Sequence, residues 1–509
     1  MTGPAWTARR LYAAVAACAA VVYAGALWNR FAMDDLYIIV QNPLVHDPAG
    51  LWRAFTAPYW PAEWGGKMYR PLAIATYALD WQFHSPAWFH AVNVAWHAGT
   101  SAAVAALGRR WSGPAAGLVA GLVFAVHPVN VEAVAGVVGR ADLMAALFAC
   151  LCVHAAVQRD SVAWSAAALV AGLLSKESAA VAPGLIVWAW VAGLAARPTR
   201  RRLAAFALSW LAVGVGYAVV RALVLAPFAQ YQALAPVFAG ASGVGVRLTA
   251  VAALADVARL LVFPLTLRVD YSPDERTLVS SALDPRFGLG IVCFAAWVGL
   301  LVWAWRRGRR VEAYGLGWIG VAFLPVANLL FPVGIVVAER TLYLPAVGLA
   351  LAAGAMLGRL ALPASRLGAL VAVVVLAGGI RSALRVPVWR DDRRVTLSIL
   401  EDSPDSYRGP SRMGSLYQSQ RQPERALEAF RVALGIFDGD PRVFVSAADA
   451  AFAVGRPRLA DSLLVRAEQL CFRCTGMHRG QARAARSRGD TAVADSLLAR
   501  ARRLDDAGP

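Results

Sequence analysis

The stretch "RFAMDDLYIIVQNP" begins at Arg30 and sets two adjacent carboxylates, Asp34 and Asp35, directly after an apolar run from Leu11 to Trp28. Neighbouring carboxylates repel, so at least one is expected to hold its proton tightly unless a cation sits beside it. A carboxylate partly withdrawn from water at the rim of a helix bundle suits a general base acting on a hydroxyl. The plainer reading is a helix cap or a solvated turn, where Asp is common.

Further chemistry-bearing residues recur at the ends of apolar runs. "HPVNVEAVAGVVGRAD", from His127, holds Glu132, Arg140 and Asp142 in a connection short enough to stay at the membrane surface. Its bland reading is an interface histidine and a local Arg140–Asp142 ion pair. "SKES" supplies Lys176 and Glu177, although lysines at span ends also snorkel to headgroups. "RVDYSPDER" supplies Asp270, and "AERTLYLP" supplies Glu339, Arg340 and Tyr343. A guanidinium fork matches a lipid phosphate; a Glu339–Arg340 pair within the loop is the alternative. The segment 51–72 carries Trp52, Tyr59, Trp60, Trp64 and Tyr69, which reads as an interfacial helix at headgroup level, with stacking on a sugar ring as a second reading. Cys471 and Cys474, followed by His478, are too few for a zinc site; in an oxidising compartment a local disulfide is the stronger alternative. The residues specify no cofactor, and a divalent metal is left open.

The elements that must position these residues are apolar helices. The chain has 509 residues, 59% apolar and 16% charged, against about 45–50% and about 25% for a soluble domain. Eleven stretches read as spans: 11–29, 91–108, 114–128, 141–157, 162–174, 179–196, 203–224, 288–305, 312–330, 344–358 and 367–384. They do not alternate as barrel strands do. The first resembles a signal peptide, but the many runs after it favour a retained helix. Cys18, Cys150, Cys152 and Cys293 fall in apolar runs and read as small core residues. The net charge of +18 comes largely from arginine clusters in short loops, which indicates membrane topology rather than nucleic-acid binding. With the N-terminus in the cytoplasm, the clusters at 9–10, 109–110, 197–202, 306–310 and 359–366 all fall inside. Residues 243–267 are apolar but carry Arg247, Asp256 and Arg259. They are expected to lie in the interface or to pair with 225–241 as a hairpin, which keeps the sides intact. The acid pair, Glu132, Lys176, Asp270 and Arg340 then share the outer face.

From about residue 386 the composition turns charged and Ala/Leu/Arg-rich, with a period of 34 in which Ala426 recurs as Ala460 and Ala494, and Gly455 as Gly489. That is the tetratricopeptide period, a stacked helix pair per repeat. The expected fold is all-α: a polytopic helical membrane domain over 1–385, then a short tetratricopeptide array over 386–509 on the outer side.

Taken in order, the motifs carry a resemblance. They are the acid pair, "YRPL" (69–72), "FHAVNVAWH" (89–97), "FAVHPVNVEAVAGVVGRADL" (124–143), "LLSKES" (173–178), "FPLTLRVDYS" (263–272) and "FLPVANLLFPVGIVVAERTLYLPAVG" (323–348), closed by the repeats. This resembles the transmembrane-and-tetratricopeptide-repeat protein O-mannosyltransferases of the C-type glycosyltransferase superfamily, over roughly residues 28–348 plus the tail. Asn130 and Val131 stand where animal members usually have His-Thr. The resemblance implies a polyprenyl-phosphate sugar donor, a Ser/Thr hydroxyl acceptor on a protein held by the repeats, and inversion at the sugar carbon. It maps Asp34, with Asp35 beside it, to the catalytic acidic motif. It makes His127, Arg140, Lys176 and Arg340 candidates for the donor phosphate, supported by Arg70, Glu132, Asp142, Glu177, Asp270, Glu339 and Tyr343. The Ala/Arg-rich composition suggests a bacterial inner membrane. The rivals are a lipid-linked transferase acting on a glycan or glycolipid and a non-catalytic scaffold. A transporter fits less well, because its ionisable groups belong near the midplane.

Overall fold

The computed structural model describes residues 7–61, 68–228, 234–360, 363–470, 475–487 and 489–506, and all regular structure among them is helical. Helix α1 (Ala8–Tyr23) is capped by the Thr7 side chain, which accepts from Arg10 N. Helix α2 (Pro71–Trp81) and helix α3 (Pro86–Val126) each begin on a proline, whose missing N–H costs nothing in the first turn. Helix α3 is broken at Gly113. Its halves fold back as a hairpin, bringing Gly121 against Ala105. Then follow α4 (Arg140–Arg159), α5 (Val162–Ser175), α6 (Ala182–Val191), α7 (Arg200–Leu225), α8 (Gly243–Val262), α9 (Pro285–Arg306), α10 (Arg310–Phe323), α11 (Tyr343–Gly358) and α12 (Ala364–Arg385).

A helix runs through part of every predicted span. Among the described residues six helices are long and apolar enough to cross a bilayer, or seven if the pair 86–126 and 128–135, bent by 50°, is one span. Helices α5, α6 and α10, at 14, 10 and 14 residues, are shorter than the about 20 residues a full crossing takes. Helices α4 and α11 form the centre, with most of their apolar length buried, whereas α7, α9 and α12 have few buried residues although they are strongly apolar. Apolar surface on that scale needs lipid around it. The chain is an all-α membrane protein.

The charged groups divide the bundle into two unlike ends. At one end Arg202 Nε meets Asp160 Oδ2 at 3.0 Å, Arg310 Nη1 donates to Gly193 O at 3.2 Å, and Arg359 Nε meets Glu312 Oε1 at 2.9 Å. These contacts join the arginine-rich loops. The acid pair and its partners gather at the opposite end. Helix α8 packs closely on α9, where Gly290 lies against the Val251 carbonyl, and its Asp256 takes two hydrogen bonds from Arg276. The described part of 225–241 that follows α7 holds only the short turn Pro236–Phe238, so it supplies no second helix for a hairpin. Nor is 51–72 one interfacial helix. Among the described residues it is helical only at Leu51–Thr56 and from Pro71, because Pro58 and Pro61 interrupt it. Tyr59 and Tyr69 turn inward and are buried. Trp64 lies outside the described residues.

Past a turn at Val386–Trp389 come α13 (Asp392–Asp402), α14 (Arg408–Ser419), α15 (Pro423–Ile436), α16 (Pro441–Ala453), α17 (Pro457–Leu470), α18 (Thr475–Ser487) and α19 (Thr491–Asp506). Helices α14 to α19 pair as three consecutive hairpins. The second helix of each pair starts at 423, 457 and 491, and a left-handed residue precedes it each time: Arg421, Gly455 and Gly489, with φ 56°, 71° and 85°. The 34-residue spacing seen in the sequence is thus a repeat of backbone conformation. Ala426, Ala460 and Ala494 are buried in turn, where small side chains let the paired helices close. Cys471 and Cys474 lie outside the described residues.

The helical tail is tied to the bundle end that carries the acid pair. Asp392 accepts from Met33 N at 3.0 Å and also pairs with Arg412. Tyr407 N donates to Pro273 O at 2.9 Å, and Asp274 N to Asp405 O at 2.7 Å.

Candidate functional site

The two aspartates occupy different environments. Asp35 is buried and accepts three backbone N–H groups, from Val138 at 2.8 Å, Ala32 at 3.2 Å and Val137 at 3.4 Å. It therefore pins the turn after α1 to the segment 127–139, which lies buried across the bundle end as short helical turns. That segment closes tightly at Gly139, where a Cβ would sit 2.1 Å from Ala133 O. Burial, opposed by those N–H groups and reinforced by the charge of Asp34, pushes Asp35 up to about 7. Folded protein thus binds this proton more tightly than unfolded chain. The stability it contributes is complete below its ordinary value of 3.8 and declines as pH rises to about 7. Asp35→Asn should flatten the fall in melting temperature between pH 4 and 7, relative to wild type, in a detergent thermal-unfolding series.

Asp34, by contrast, opens on a cleft. Its carboxylate lies 3.6 Å from Arg340 Nη1, and both side chains are about one-third exposed, at 33% and 34%. Glu132 holds the arginine from behind: its Oε2 accepts Arg340 N at 2.8 Å, and its Oε1 lies 3.5 Å from Arg340 Nε. Both side-chain contacts are longer than the 2.7–3.2 Å of a good N–H···O bond, so the guanidinium keeps donor capacity toward the cleft. The empty space there, open mouth included, is about 890 Å³. Asp34, Asp35, Glu132 and Arg340 line it together with Asp270 and Arg408.

A second charged group adjoins this one. Lys176 Nζ donates to both oxygens of Asp142, at 2.6 and 2.7 Å, and Arg70 donates to Glu177 Oε2 at 2.9 and 3.1 Å. Burial holds the Lys176 ammonium below its ordinary value, and Arg70 and Arg340 push the same way against Asp142. Lys176 itself does not line the cleft and is engaged by both oxygens of Asp142.

The remaining candidates sit elsewhere. Arg140 is fully enclosed, meeting Asp80 at 2.5 Å, Asn93 at 2.8 Å, Phe89 O at 2.9 Å and Thr76 at 3.2 Å. Its fork is spent on scaffolding and does not reach the cleft. His127 is buried, with Nε2 on Leu261 O at 2.9 Å and Nδ1 accepting Val129 N at 3.3 Å. Glu339 turns away to accept Arg268 N at 2.5 Å and Tyr271 Oη at 3.1 Å. Tyr343 lies in the core with its hydroxyl on His97 at 2.8 Å. Asp270 lines the cleft but accepts Ser406 Oγ at 2.6 Å and meets Arg408 at 3.5 Å, so it joins the tail to the site. Arg408 escaped the sequence reading because it stands among the many arginines of the repeat region. Among the described residues no three His, Cys, Asp or Glu side chains are grouped to hold a metal ion.

The geometry is that of a carboxylate and an arginine 3.6 Å apart at the mouth of a cleft at one end of a helical bundle. Against known proteins, the chain is 26% identical to the protein O-mannosyl-transferase TMTC3 of Mus musculus over 499 residues, 90% of this chain and 54% of that protein. It is 28% identical to the protein O-mannosyl-transferase TMTC4 of Homo sapiens over 459 residues, 77% of this chain and 61% of that one. It is a relative of the TMTC protein O-mannosyl-transferases. A Caenorhabditis elegans protein O-mannosyl-transferase, F38B6.6, is 26% identical over 344 residues, 65% of this chain and 49% of its own length. The chain thus spans about half to three-fifths of the length of these TMTC relatives. No family model matches it.

Proposed function

We infer that the protein is an inverting membrane glycosyltransferase of the C-type class that moves mannose from a polyprenyl phosphate to a Ser or Thr hydroxyl of a protein. The observation that carries this is the Asp34–Arg340 pair, 3.6 Å apart at the mouth of one cleft. In the reaction the acceptor hydroxyl oxygen attacks the anomeric carbon, and the bond from that carbon to the phosphate oxygen breaks. Asp34 takes the hydroxyl proton, and the polyprenyl phosphate leaves carrying the electron pair. The transition state is oxocarbenium-like with charge growing on the phosphate, which Arg340 is placed to stabilise.

The arginine-rich end belongs in the cytoplasm by the positive-inside rule. That puts the cleft and the tetratricopeptide array outside, in a bacterial case at the outer face of the inner membrane. The test is purified full-length chain with polyprenyl-phosphate mannose and Ser/Thr peptides, read by mass spectrometry. Mannosylated peptide is expected. Transfer to a glycan or glycolipid but not to peptide would favour the lipid-linked glycan reading, and no transfer to any acceptor would overturn the assignment.

A further inference from the structure

We propose that the acceptor polypeptide leaves the cleft along a groove between the transferase loops and the ends of the repeat hairpins. This deepens the transferase reading and rests on it. Beside the cleft lies a second open hollow, about 990 Å³ of empty space with its open mouth included, and Pro236, Val237 and Pro273 are walls of both. The two spaces therefore lie side by side along that wall. The far side of the hollow belongs to the helical tail: Phe437 in the turn between α15 and α16, and Leu470 at the end of α17.

The groove is held in shape rather than left by loose packing. Residues 273–274 exchange backbone hydrogen bonds with 405–407, and Ala235 N donates to Val333 O at 3.1 Å. Its occupant follows from its place and chemistry. It opens between the loops at 236–240 and 273–278 and the charged helical tail at 437–439 and 469–470, a setting that suits the acceptor polypeptide rather than the polyprenyl tail. Proline, valine and phenylalanine walls beside Asp274 and Thr277 suit a polypeptide of mixed sequence. An extended chain advances about 3.3 Å per residue, so with its hydroxyl at Asp34 several flanking residues lie in the groove. The repeats would then read the acceptor with their inter-helix turns, not with a concave face.

The test uses full-length protein, a short acceptor with one residue on each side of Ser, and a long one with about ten. Ala239 is an exposed wall of the groove and does not line the cleft. Ala239→Trp should raise KM for the long peptide about tenfold, a loss of about 1.4 kcal/mol, and leave the short peptide and the donor KM unchanged. Gln469→Trp, from the array side, should do the same, with both variants melting at the wild-type temperature. Unchanged long-peptide kinetics in both variants would overturn the groove while leaving the transferase reading intact. Equal loss on both peptides would also overturn it. Wild-type protein inactive on both peptides would remove the protein-acceptor reading, and the groove with it.

Discussion

Asp34→Asn is expected to lower kcat by about a hundredfold to ten-thousandfold, the range over which a positioned general base acts. The substitution keeps size and shape and removes only the ability to take a proton. Asparagine also leaves Arg340 with one anionic neighbour fewer, since Asp34 Oδ2 sits 3.6 Å from its Nη1. The donor phosphate then meets less competition, and donor KM should not rise. The pairing of low kcat with an unraised donor KM separates a lost base from lost folding. Steady-state mannosyl transfer under saturating peptide reads both, and a kcat within about twofold of wild type would remove Asp34 from the chemistry. Asp35→Asn is the internal control. That carboxylate is buried under three backbone N–H groups, so its replacement acts on stability and its pH dependence before it acts on turnover.

What the sequence made legible follows from how each signal is written. Apolar runs mark helices wherever they are long, and the 34-residue period survived into the backbone because the left-handed turn at 421, 455 and 489 needs the same chain length each time. The gathering of distant motifs at one bundle end was legible too, since alternating spans leave their connectors on alternate sides. Side-chain direction was not. Asp34 and Asp35 are neighbours with the same chemistry, yet one faces the cleft and the other the interior, and only the packing of 137–138 decides which. Arg140 reads as a phosphate ligand because charge at a span end usually faces water. Here Asp80, Asn93, Thr76 and the Phe89 carbonyl converge on it from two other helices, and no local pattern announces that convergence. Arg408 reaches the cleft only because the tail folds back on residues 270–274, a tertiary event with no signature in its own helix.

Arg340→Ala is expected to cost about a hundredfold to a thousandfold in kcat, the scale seen when one preorganised stabiliser of developing negative charge is removed. The phosphate already carries charge in the bound donor, so part of the loss will fall on donor KM. The leaving oxygen gains its charge only as the glycosidic bond breaks, so the larger part should fall on kcat. The backbone carries half of the link to Glu132, because Arg340 N donates to Glu132 Oε2 at 2.8 Å whatever the side chain is. The loop therefore keeps its anchor in the alanine variant, and the melting temperature should move far less than activity. Arg340→Lys returns the charge without the planar fork and should recover part of kcat, not all of it. Glu132→Gln tests the support rather than the group itself. It loosens the guanidinium held at 3.5 Å from Glu132 Oε1 and should give a smaller loss than Arg340→Ala, because the guanidinium itself remains. An alanine variant with wild-type kcat would remove Arg340, in the turn just before α11, from the stabilisation of the leaving phosphate.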